Sequence, residues 1–63
     1  MDKFTVYYTR LMGMKKAEII REGQTWGFWD ARESNTQALM KWSKILLARS
    51  VADRLVRLEN RGY

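Results

Sequence analysis

A chain of 63 residues with neither cysteine nor histidine has to hold its fold together by apolar burial alone. Disulfides and thiolate or imidazole metal sites are excluded, and carboxylates by themselves rarely hold structural zinc. A domain of this size buries only about 60% of the surface its unfolded chain exposes, so its core is marginal. Small scaffolds usually add a disulfide, a metal or a partner chain, and here only association is left. The composition does permit a core. Hydrophobic residues make up 46% of the chain and aromatics 13%, which is too apolar for a disordered tail. Residues 1–63 are expected to form one small domain. Proline is absent, so nothing forbids long helices.

Residues 2–12 carry two conflicting signals. Phe4-Thr5-Val6-Tyr7-Tyr8-Thr9 is β-branched and aromatic, as strands are. Yet Phe4, Tyr7, Tyr8, Leu11 and Met12 recur at i, i+3, i+4, i+7 and i+8, which draws one stripe down a helix. Five positions obey the helical spacing, so helix is favoured, with Asp2 as its cap. Met14 to Glu22 reads as a second helical stretch closed by Gly23. Thr25-Trp26-Gly27-Phe28-Trp29 reads as one short aromatic strand. A lone strand is unstable, so it has to pair with the N-terminal segment or with the same strand of another copy.

Ser34-Asn35-Thr36-Gln37 matches a capping box, and the helix it opens is expected to run unbroken to about Asn60. At 1.5 Å per residue it would be roughly 35–40 Å long. A compact globule of this chain length is only about 20–25 Å across. The expected fold is therefore mainly α with one short strand: a helical N-terminal half, the aromatic strand and a long C-terminal helix.

That long helix has two apolar stripes. One holds Ala38, Leu39, Trp42, Ile45, Leu46, Ala52 and Val56. The other, nearly opposite, holds Met40, Leu47, Val51, Leu55 and Leu58. Residues 1–30 can cover one stripe easily, and the second is then an exposed patch of the size that marks interaction sites. A symmetric, intertwined homodimer is the commonest way to cover such a face. The alternative is a central helix wrapped on both sides by residues 1–30. The residues expected at a dimer or partner interface are Trp26, Phe28, Trp29, Met40, Leu47, Val51, Leu55 and Leu58.

The net charge is +5. Residues 1–40 contribute +1 and residues 41–63 contribute +4, which points to an acidic protein surface or a nucleic acid as partner. Arg54, Arg57 and Arg61 fall on one side of the long helix. The row either tracks phosphates or forms a solvated basic face that keeps an apolar small protein in solution. Trp26, Phe28 and Trp29 are open to three readings: core or dimer contact, anchor for a protein partner, or base-stacking platform. No helix-turn-helix signature is visible.

Catalysis lacks its usual parts. There is no thiol or imidazole, no carboxylate pair spaced as an acid–base couple, and no phosphate-cradling glycine loop. No enzyme activity and no cofactor are expected. The longest apolar run, Ile45-Leu46-Leu47-Ala48, is far short of the roughly 20 residues that span a bilayer. The N-terminus has no signal-peptide pattern, so a cytoplasmic location is expected.

The length, the aromatic Thr25–Trp29 stretch and the Ser34–Asn60 helix after a helical half together resemble one protein class. The plan is similar to that of the small early proteins encoded between the exonuclease and excisionase genes of lambdoid temperate phages. The resemblance implies a phage protein in the host cytoplasm that pushes infection towards lysis. It also implies a helical homodimer with one strand that acts on a regulatory process by binding. It brings no catalytic residues with it.

Overall fold

In the computed structural model, which describes residues 2–29 and 36–61, four helices follow one another: α1 Lys3–Met12, α2 Lys16–Trp26, α3 Thr36–Leu39 and α4 Lys44–Asn60. The mainly helical expectation holds. The expected strand does not, and no strand occurs among the described residues.

The spacing of α1 prevails over its β-prone composition because the helix puts every large apolar side chain but Val6 on one face. Leu11 is fully buried, and Phe4, Tyr7, Tyr8 and Met12 pack against the core beside it. Phe4 and Tyr8, one turn apart, stack with ring centroids 5.9 Å apart. Asp2 caps the helix: the Thr5 N–H donates to its carboxylate at 2.7 Å and holds its pKa below the ordinary value. That contribution is complete above the unfolded-chain pKa of about 3.9. It is lost as pH falls through the lower folded value.

α2 runs on through Gly23 and ends at Gly27, not at Gly23 as the sequence suggests. Gly27 takes φ +71°. Its N–H donates to the Gln24 carbonyl at 3.1 Å, and the Phe28 N–H donates to the Gly23 carbonyl at 2.8 Å. This pair of bonds is a Schellman closure, which needs the left-handed conformation that glycine adopts freely. Thr25 and Trp26 are thereby the last turn of a helix, and the chain reverses at Gly27 instead of extending. Gly23 remains helical because Trp29 folds back onto it. A Cβ at Gly23 would overlap the Trp29 indole, whose Nε1 donates to the Ile20 carbonyl at 3.0 Å.

The single long helix is also corrected. Ser34 and Asn35 lie outside the described residues, but the helix visibly breaks at residues 40–43. Ser43, with φ −67° and ψ 154°, caps a new helix by accepting from the Leu46 N–H at 3.1 Å. The break lets Leu39 bury completely and turns Trp42 edge-on to Trp29 at 5.9 Å. The Lys16 ammonium donates to the Met40 carbonyl, one of the acceptors that the end of α3 leaves open. Ser43→Ala should cost about 1 kcal/mol, read as a lower urea midpoint with an unchanged slope.

α4 spans about 25 Å at 1.5 Å per residue, within the 32 × 23 × 14 Å extents of the described chain. It is the central helix, with α1 and α2 both packed against it. Its buried residues are Leu47, Ala48, Val51, Ala52 and Leu55. These form one broad stripe that includes three residues expected at an intermolecular interface. One chain buries Leu47 and Val51 completely and leaves Leu55 only 6% exposed. The two small alanines let α1 and α2 approach closely enough to do so. One chain therefore covers this face by itself, but the helix is not wrapped on both sides. Ile45 and Leu46, from the opposite stripe, are left 53% and 46% exposed.

Candidate functional site

The Schellman turn fixes the site. By ending α2 at Trp26 and reversing the chain at Gly27, it brings Trp26 and Phe28 face to face. Their centroids are 6.1 Å apart and their planes within 10° of parallel, an offset stack. Trp26 remains 44% exposed. Beyond the pair runs the C-terminal half of α4, which carries Arg54 and Arg57 at i and i+3, with Arg61 at its C-cap. Between the two elements lies a groove of about 260 Å³ lined by Trp26, Phe28, Arg54, Arg57, Leu58 and Arg61.

The three arginines are held differently. The Arg54 guanidinium lies 5.4 Å from the centre of the Trp29 ring, a cation–π contact that ties it to the core. Arg57 pairs with Asp53 one turn earlier at 3.1 Å, both side chains more than half exposed. Such a solvated pair contributes little and yields readily to a competing anion. The Arg61 amide closes the end of α4 on the Arg57 and Leu58 carbonyls, while its side chain is exposed.

A second cavity, of about 200 Å³, opens on the other side of Trp26. Tyr7, Arg10, Glu22, Leu55, Leu58 and Glu59 line it with Trp26. Here the charges are already matched. Arg10 reaches Glu22 at 3.4 Å, Lys3 lies 3.9 Å from Glu59, and the hydrogen bond from Tyr7 to Glu59 raises the phenol's pKa. Trp26 thus divides a paired, mixed-charge cluster from a groove whose charged lining among the described residues is three arginines. Among the described residues no carboxylate lines that groove. Guanidiniums stay protonated at any physiological pH, so the groove offers fixed positive charge, hydrogen-bond donors and ring faces.

The residues singled out from the sequence separate into three places. Trp29, Leu47, Val51 and Leu55 are core. Trp26, Phe28 and Leu58 come together with all three arginines in the groove. Met40 stands apart on the surface, 42% exposed. The mixed-charge cluster was not visible in the sequence, since its members are scattered between residues 7 and 59 with no common spacing. Among the described residues no acidic cluster could hold a metal ion, and no helix is long and apolar enough to cross a membrane. Compared with protein-family models, curated proteins and solved structures, the chain matches none.

Proposed function

We propose that this chain is a small non-catalytic binding protein whose working surface is the Trp26–Phe28–Arg54–Arg57–Arg61 groove, and that its partner is an anionic macromolecule. One observation carries the reading: two separate elements deliver a stacked aromatic pair and three cations to a single concavity that no carboxylate among the described residues lines. Aromatic and arginine side chains are the groups that dominate binding energy at interfaces. Heparin, a generic polyanion, should bind the chain and weaken steeply as salt rises. Replacing the two exposed arginines (R57Q/R61Q) should reduce that affinity by at least tenfold while leaving the helical circular dichroism intact. Equal affinity in the double variant would remove the groove as the binding surface.

Self-association is a second reading, with a changed location. Leu47, Val51 and Leu55 of the row that favoured a homodimer are used inside one chain, but Met40, Ile45 and Leu46 are all exposed. A dimer through them would sediment at about twice 7.5 kDa and revert to monomer on Leu46→Asp. A monomer mass throughout the micromolar range would remove it. The lambdoid resemblance adds a biological setting, an early protein that moves infection towards lysis. Expression in a lysogen should then raise the lytic fraction, and an unchanged fraction would dismiss the phage setting without touching the groove.

A further inference from the structure

The groove's shape and its chemical groups narrow the anion further. We propose that it takes a single-stranded nucleic acid, with an unpaired base on the Trp26–Phe28 pair and backbone phosphates along Arg54, Arg57 and Arg61. This rests on the binding role proposed for the same groove.

Three features favour a single strand. The first is the platform. A flat, partly exposed indole backed by a parallel ring is a surface on which any base stacks, because every base presents a π-face. An acidic peptide segment offers carboxylates to the arginines but no obligatory planar group for the rings. The second is the charge row. Arg54 to Arg61 covers about 10 Å of helix, the length of roughly three nucleotide steps of a stacked strand at 3.4 Å each. The third is shape. Duplex readers insert a helix or ribbon into a major groove about 12 Å wide. Here α4 is the central helix, under α1 and α2, and what it presents is a concavity of about 260 Å³. A concavity of that volume is on the scale of a single base and far smaller than a double helix. Among the described residues no Asn, Gln, Ser or Thr side chain lines the groove to read a base edge, and the arginines are assigned to phosphates, so recognition is expected to tolerate sequence.

The test is anisotropy of a labelled 15-nucleotide oligo(dT) with the full chain from low to moderate salt. The same label on a 15-base-pair duplex and on an oligoglutamate peptide supplies the comparisons. Oligo(dT) is expected to bind at least tenfold tighter than either and to quench tryptophan emission. Its log affinity should fall with log salt at a slope near −2, about 0.7 for each of three phosphates. Trp26→Ala should weaken binding about tenfold with the slope unchanged, and Trp26→Phe should restore most of the affinity. R57Q/R61Q should flatten the slope by about 1.4. Circular dichroism checks that each variant is folded, and Phe28→Leu replaces Trp26→Ala if that chain is not. Tighter binding of duplex, or aromatic variants that bind oligo(dT) as the parent does, would overturn the proposal. Oligoglutamate binding without oligo(dT) binding would overturn it and leave the anionic-partner reading standing. Binding of none of the three probes, with heparin also unbound, would overturn both.

Discussion

Val51→Asp should leave the chain unfolded, whereas Leu46→Asp should be nearly silent. Val51 is completely buried between α4 and its covering helices, and Leu46 is 46% exposed. The buried side chains among the described residues are all apolar, so a carboxylate at Val51 would be unpaired, and burying it costs several kcal/mol. A 63-residue domain at about 0.05–0.15 kcal/mol per residue has roughly 3–9 kcal/mol to lose. Substitution at an exposed site such as Leu46 stays within about 0.5 kcal/mol. Circular dichroism and sedimentation separate the outcomes. Loss of helix in Val51→Asp places this face inside one chain. A folded, monomeric Val51→Asp protein would instead mean that the face is an interface between copies.

Gly23→Ala should destabilise the protein by about 2 kcal/mol, although the same change inside an ordinary helix stabilises. The propensity gain is up to about 1 kcal/mol. Against it stands the Trp29 indole, which occupies the space a Cβ would need. Forcing the ring away costs about 1–3 kcal/mol in overpacking. Displacing it also breaks the Nε1 bond to the Ile20 carbonyl, and an unsatisfied buried group costs about 1–3 kcal/mol more. For a domain of this size the melting temperature should fall by roughly 10 °C, at 4–8 °C per kcal/mol. The sign gives the sharper check. In a Trp29→Ala background the obstruction is gone, so Gly23→Ala should become neutral or stabilising. A loss of equal size in both backgrounds would show that Trp29 is not what constrains Gly23.

The two substitutions also mark where the sequence stopped being legible. Local rules sufficed for α1, because the cap at Asp2 and the five-position stripe through Met12 both lie within twelve residues. They did not suffice for the end of α2. Gly23 and Gly27 are equally good terminators on local grounds, and what separates them is Trp29, whose ring lands on one and not the other. With Gly23 taken as the stop, Trp26 and Phe28 looked like strand residues when they flank a helix-ending turn. The break before α4 was hidden for a similar reason. No glycine or proline stands between Thr36 and Asn60. Ser43 becomes a cap because breaking there buries Leu39 and docks Trp42, a tertiary gain. Once the helix is divided, the opposed stripes lose their meaning. Most of one becomes core, with Ala48 and Ala52 widening it, while Ile45 and Leu46 of the other face outward. For the groove, the arginine row and the aromatic trio were each visible as local patterns. Their convergence was not, since it spans some thirty residues and depends on the turn at Gly27.

The docking of α1 on α4 has a consequence for the making of the protein. The two helices lie at opposite ends of the described sequence, yet Lys3 and Glu59 stand 3.9 Å apart. While the chain is synthesised, Phe4, Tyr7 and Leu11 emerge early and lack the main part of their native surface until α4 follows. At about 5–20 residues per second that interval lasts roughly 2–10 s. Helical domains rich in local contacts fold in about microseconds to milliseconds, so the wait is far longer than the folding step itself. α1 is then a nascent segment with an uncovered aromatic face, open to chaperones and proteases for seconds, and arrival of the last helix ends that exposure almost at once.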